Sequence, residues 1–193
     1  SSAASDVYKR QLAADPSQVG PTLMVYGARA DGTGVDRIRS NNWGSTWYVD
    51  APLLTTTDYK ELESVTGVGN SFFGARADGA GLERVYYSGG WQTQSVVGGD
   101  YKGLAVDPGQ AGPTFLLYGA RADGAGVDRI RSNNWGTSGS WYLELPLLTT
   151  NNYDELCTMT GITNQFYGSQ IPEPATLVLM ALGGLAALRR RHG

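Results

Sequence analysis

Three arginine–tryptophan pairs are the residues best equipped for chemistry in this chain of 193 residues. They are Arg37 with Trp43, Arg84 with Trp91, and Arg129 with Trp135, each pair six or seven residues apart. A guanidinium donates a rigid fork of N–H groups that hydroxyl oxygens can accept. An indole adds a flat apolar face and a single donor. Such pairs suit sugar recognition, one weak site per pair and avidity from several. The same residues equally suit packing between repeats, and both readings stay open. Trp47 and Trp141 begin strands and are expected to pack.

Other chemistries find few residues. The only histidine is His192, next to the C-terminus, and the only cysteine is Cys157. Within this stretch, Ser-His-Asp and Cys-His catalysis and histidine metal sites are therefore excluded, and Cys157 is expected to be a small buried hydrophobe. Most carboxylates recur with the repeats described below, at turns or facing arginine, so no catalytic residue is expected. Gly32–Ile38 partly resembles the calcium-binding nonapeptide of RTX proteins. That pattern returns every ~9 residues, whereas here the spacing is about 46, and the second copy substitutes Glu83. No metal and no cofactor is expected.

The elements that must position the pairs come from internal repeats. Tyr26-Gly27-Ala28-Arg29-Ala30-Asp31-Gly32 returns as Phe73–Gly79 and as Tyr118–Gly124, 47 and then 45 residues on. Leu12–Pro16 matches Leu104–Pro108, and Arg37–Gly44 matches Arg129–Gly136, both 92 residues apart. A block of about 92 residues thus contains two related halves of about 46. The patterning predicts four strands per half. These are Thr22–Ala30, Gly34–Ser40, Trp47–Leu53 and Tyr59–Thr66, then Ser71–Ala77, Gly81–Ser88, Trp91–Val97 and Tyr101–Val106, then Thr114–Ala122, Val127–Ser132, Trp141–Leu147 and Tyr153–Thr160. A last strand begins near Gln165. Asp-Gly and Ser-Gly-Gly turns separate them.

Four short strands per ~46 residues resemble a β-propeller blade. The expected fold is all-β: a partial β-propeller of about three four-stranded blades over 12–170, starting near 22, 70 and 113, with a closing strand near 165. An open β-solenoid ranks second. With Gly32 and Thr33 at the hairpin tip, Arg29 faces Asp36, Arg76 faces Glu83 and Arg121 faces Asp128. Such structural cross-strand pairs contribute roughly 0.2–1 kcal/mol each.

Both ends depart from the repeats. Ser5–Gln11 resembles the translation of a transposon mosaic-end sequencing adaptor, so 1–11 is set aside and the reading frame is expected to extend upstream; a native flexible tail is the alternative. At the other end, Pro172-Glu173-Pro174 precedes an uncharged run, Ala175–Leu188, and then Arg189-Arg190-Arg191. As a helix those 14 residues reach about 21 Å, short of a hydrocarbon core of ~30 Å. The arginines place the C-terminus on the cytoplasmic side. This order resembles the PEP-CTERM sorting signal of Gram-negative bacteria, a tail also labelled an ice-binding protein C-terminal domain. The resemblance implies that an exosortase recognises 171–193, that the chain is transiently anchored in the inner membrane by a helix over 175–188, and that it passes to the cell surface or extracellular matrix. A plain membrane anchor is the alternative.

Without its two ends, which carry +1 and +3 of a total of −3, the body has a charge of −7. An acidic body argues against a nucleic-acid partner. Propeller lectins resemble this arrangement of repeated sites. The expected function is therefore a non-catalytic binding or adhesive protein, with polysaccharide or surface proteins as partners. The alternative is part of a secreted propeller enzyme acting on polysaccharide, its active site lying upstream.

Overall fold

The computed structural model describes residues 11–15, 20–65, 68–109, 113–134, 136–137, 139–159 and 163–170. Both termini lie outside the described residues, including the sorting motif and the expected helix over 175–188. Among the described residues no helix is long and apolar enough to cross a membrane. Among the described residues, fourteen strands form four antiparallel sheets. The first holds β1 (Gln11–Ala14), β2 (Leu23–Ala28), β3 (Val35–Ser40) and β4 (Tyr48–Thr55). The second holds β5 (Tyr59–Ser64), β6 (Ser71–Arg76), β7 (Leu82–Tyr87) and β8 (Trp91–Val97). The third holds β9 (Tyr101–Val106), β10 (Phe115–Arg121), β11 (Val127–Ser132) and β12 (Trp141–Thr149). The last pairs β13 (Tyr153–Cys157) with β14 (Tyr167–Gln170).

The sheets are phased one strand earlier than the sequence pattern suggests. Each strand assigned to the end of a block is instead the first strand of the next sheet. Leu12–Ala14, noted only as a repeat, is β1, which starts at Gln11, inside the segment set aside as adaptor. The phase follows from a tyrosine–glycine–acid stack. Tyr59 on β5 lies across Gly74 on β6, where a Cβ would fall 2.4 Å from the ring, and its hydroxyl donates to Glu83 on β7 at 2.6 Å. Tyr101, Gly119 and Asp128 repeat this, the hydroxyl bond being 2.9 Å. Burial and the adjacent acid hold both phenols well above their usual pKa. A stack that links three strands fixes them in one sheet.

The same stack corrects the register. The Arg29–Gly34 turn is closed by Arg29 N–H to Gly34 O at 2.9 Å and Gly32 N–H to Arg29 O at 3.1 Å. It is centred on Asp31 and Gly32, one residue earlier than the expected Gly32–Thr33 tip, so the ladder shifts by two and the acids face glycines: Gly27 with Asp36, Gly74 with Glu83, Gly119 with Asp128. The arginines reach the acids diagonally. Arg29 lies 3.6 Å from Asp36, Arg76 lies 2.8 Å from Glu83 and Arg121 lies 3.9 Å from Asp128.

Successive sheets pack face to face, and the core lies between them. Tyr26, Phe72 and Val85 fill the first junction, Phe73, Phe115, Leu117 and Ile130 the second, and Leu116, Tyr118 and Leu156 the third. The 92-residue period has a physical cause here. Asp15 accepts from the Tyr26 hydroxyl at 2.6 Å and from Asn70 N–H of the next sheet at 3.0 Å. Asp107 accepts likewise from Tyr118 at 3.4 Å and from Asn164 N–H at 2.6 Å. At the middle junction the corresponding pair is Val65 and Phe73, both buried. Hydroxyl and carboxylate are thus exchanged together for two apolar groups, so neither half of that side-chain hydrogen bond is left unpaired.

Candidate functional sites at the sheet junctions

The arginines expected to bind ligand occupy matching positions on the third strand of each sheet, opposite Tyr26, Phe73 and Tyr118. Their surroundings differ in a way the sequence reading missed. Arg37 meets Asp50 on β4, Nε to Oδ2 at 2.7 Å, and Arg39 reaches the other oxygen at 3.5 Å. Arg129 and Arg131 share Glu144 on β12 in the same way, at 3.0 and 3.5 Å. In the middle sheet Gln94 stands opposite Arg84 where the others have the acid, and Tyr86 takes the place of the second arginine.

Arg84 is accordingly a packing residue. It is only 9% exposed, lies 4.8 Å from the Phe115 ring centre, and bonds to Ser71 Oγ and Gly136 O. Burial pushes its guanidinium pKa down.

The tryptophans sort differently from the sequence pairing. Trp43 is 69% exposed in the β3–β4 loop at a positive φ of 58°. The structure records no contact between it and Arg37. Trp135 lies outside the described residues. Trp91 is the counterpart of Trp47 and Trp141, because all three sit at the start of an outer strand. It reaches back to the preceding sheet, edge-on to Tyr26 at 6.2 Å, with Arg37 over its ring at 5.7 Å. Trp141 packs on Phe73 and Phe115, as expected of it.

The first junction thus assembles Arg37, Arg39 and Asp50 from one sheet with Trp91 from the next, and Tyr48 lies 5.2 Å beneath Arg39. At the third junction a cavity of about 210 Å³ is lined by Thr114, Leu116, Arg129, Arg131 and Asn164, whose Oδ1 accepts from Arg129 at 3.0 Å. At the first junction donors, a carboxylate acceptor and an aromatic face match the hydroxyls and C–H face of a sugar, and at the third two guanidiniums and an amide around the cavity match its hydroxyls. The signal for Asp50 and Glu144 was present in the sequence. They lie 94 residues apart, in step with arginines 92 apart, but only strand register places them opposite each other.

A second feature lies along the innermost strands. β1, β5, β9 and β13 line a cleft of about 420 Å³ that contains Glu61, Glu63 and Glu155. Burial first, then Glu155 and Asp154, raises the Glu61 pKa from 4.5 to about 7; burial and Glu61 raise Glu63 equally. These acids neither sit at turns nor face arginine, contrary to the pattern expected of the carboxylates. Cys157 is exposed on β13, and Leu156 takes the buried position beside it.

Residues 170–191 match the PEP-CTERM protein-sorting motif. The chain carries an exosortase sorting signal. This motif implies recognition by an exosortase and export through a membrane-anchored stage. No curated protein matches the chain. Among solved structures it resembles the fungal Aleuria aurantia lectin, a six-bladed β-propeller with a described fucose recognition mode, at TM-score 0.54 and 13% identity. That likeness covers 86% of this chain and 62% of the lectin, so the chain spans less than two thirds of that protein. It shows a propeller-like body. YCF48 bound to the D1 peptide is a weaker match, at TM-score 0.45 and 12% identity, over 78% of this chain and 43% of that one.

Proposed function

We propose that this chain is an exported, exosortase-sorted, non-catalytic binding protein of the cell surface or extracellular matrix, and that it holds glycans at its first and third sheet junctions. The observation carrying this reading is the two-arginine, one-acid cluster, repeated at both junctions and replaced as a set at the middle one. The fold likeness to a lectin is consistent with it, and that lectin's fucose recognition suggests the ligand class. Polysaccharide is the expected partner, and surface proteins are a further one.

A glycan array tests the reading. The parent should bind at least one glycan. Arg37→Ala and Arg129→Ala should each weaken avidity about tenfold or more, and the double variant should abolish it. Trp43→Ala should leave binding within about twofold, since Trp43 stands apart from the cluster. Absence of binding by the parent, or unchanged binding by the folded double variant, would sink the proposal. For the sorting half, deleting Ile171–Gly193 should retain the exported chain away from the surface; unchanged surface display would refute it.

The acid-lined cleft favours a second reading, in which the chain is part of a secreted enzyme acting on polysaccharide. Carboxylates with raised pKa values, as at Glu61 and Glu63, are suited to the general-acid role in glycoside hydrolysis. If that reading holds, the full chain cleaves a polysaccharide that Glu61→Gln leaves intact. Equal cleavage by both proteins, or by neither, rejects it.

A further inference from the structure

The two junction clusters also carry a charge preference. Arg37 and Arg39 stand against Asp50 alone, and Arg129 and Arg131 against Glu144 alone. Each cluster therefore has one more guanidinium than carboxylate in ion-pair contact. The neighbouring buried acids do not cancel this excess from within the pocket. Asp107 accepts from Tyr118, from Gly109 N–H at 2.9 Å and from Asn164 N–H, and does not line the cavity. Asp15 is likewise bonded to Tyr26 and Asn70.

Among the described residues, the wall of the cavity at the third junction has two guanidiniums, a hydroxyl and an amide, and no carboxylate. Arg129 spends one Nη2–H on Asn164, while its buried Nε–H, though 3.0 Å from Glu144, forms no hydrogen bond. Arg131 spends Nε–H on Asn133 Oδ1 at 2.8 Å and one Nη1–H on Glu144. With five N–H donors per guanidinium, most of the forked donors stay available. The volume, below the ~300 Å³ of a drug-sized pocket, suits one sugar unit. Two guanidinium forks converging on such a space match a planar or tetrahedral oxyanion, which accepts paired N–H groups. The acidic body opposes this only at long range, and salt screens it beyond ~8 Å.

We infer that the sites take an acidic sugar, one bearing a compact oxyanion on its ring, in preference to a neutral one. This rests on the glycan-binding reading and deepens it. The oxyanion has two sources, a uronate carboxylate or a sugar sulfate.

Titrating the full chain with tetragalacturonate, its full methyl ester and a sulfated galactose tetrasaccharide tests the inference. At least one acidic ligand should bind about tenfold or more tighter than the ester, and which one names the source. The preference should shrink on raising NaCl from 50 to 300 mM, as screening requires. It should fall to within about twofold in an Arg39→Ala/Arg131→Ala protein. Arg39→Lys/Arg131→Lys, which keeps the charge and loses the fork, should retain part of it and guards against misfolding of the alanine protein. Ester binding as tight as acid binding overturns the charge preference and leaves the glycan reading intact. Binding to none of the three, nor to any neutral glycan on an array, overturns both.

Discussion

Replacing Gly126 with alanine should destabilise the chain by about 3–5 kcal/mol. Two costs add. Gly126 sits at φ +139°, outside the range L side chains adopt, and a Cβ there would lie 2.0 Å from Thr149 O. The obstacle is backbone in an adjacent strand, so no rotamer change relieves it. Gly34 and Gly81 stand in the same conformation, with the new Cβ 2.1 and 2.2 Å from Thr55 O and Val97 O. Gly89→Ala separates the two costs. It also has positive φ, +69°, but meets nothing within 4 Å, and should lose only about 1 kcal/mol. Urea unfolding measures both. A Gly126→Ala loss no larger than that of Gly89→Ala would show that the turn can move away from β12. Within the Gly-Ala-Arg-Ala-Asp-Gly stretch just before Gly34, Gly81 and Gly126, Gly74 and Gly119 lie under tyrosine rings and Gly32, Gly79 and Gly124 hold φ of +73°, +75° and +75°, which is why that stretch varies so little. Its turn is also tied to the innermost strand of its own sheet, with Ala77 N–H bonded to Asp58 O at 3.0 Å and Ala122 N–H to Asp100 O at 2.9 Å.

Stability should fall as pH rises from 5 to 8. Glu61 and Glu63 have folded pKa values near 7, above the unfolded value of 4.5. The folded state therefore binds their protons more tightly. Their favourable contribution is complete below about pH 4.5 and is lost as pH rises through 7. Each pKa unit corresponds to ~1.4 kcal/mol. Burial dominates both shifts and both side chains are only half-buried, so solvent screening holds their joint loss by pH 8 to about 3 kcal/mol, below a simple sum. At ~2–4 °C per kcal/mol for a chain of this size, the Tm should drop by about 6–12 °C. Lys60 moderates the effect on Glu61 and is outweighed by Glu155 and Asp154. Glu61→Gln/Glu63→Gln should flatten the profile and raise the Tm at pH 8. A parent protein that is as stable at pH 8 as at pH 5 would contradict the burial of these carboxylates.

Much of the fold was legible in the sequence because its signals are local. Gly-rich turns and short β-rich runs gave strand positions within a few residues, and the period of about 46 gave the sheets. Phase was not legible. It depends on Tyr59 lying across Gly74 and reaching Glu83, a contact between residues 24 apart that no local pattern reveals. Register failed for a related reason. Counting from a Gly32–Thr33 tip places the turn one residue too late, and that single error moves every opposite pair by two.

The candidate sites were half visible. Arg37 and Arg129 were found by type and repetition, and Arg84, chosen on the same grounds, proves to be buried packing. Trp91 was paired with Arg84 of its own sheet, whereas the arginine over its ring, Arg37, belongs to the preceding sheet. Asp50, Glu144, Arg39 and Arg131 were passed over because their significance lies in sharing one carboxylate across a ladder.

The central claim is that only the first and third junctions bind. Native mass spectrometry of the full chain with the tightest glycan from the array counts the sites directly. Two ligands per chain are predicted, falling to one in Arg129→Ala and in Arg37→Ala. A third ligand per chain, or two retained in either variant, would contradict the account.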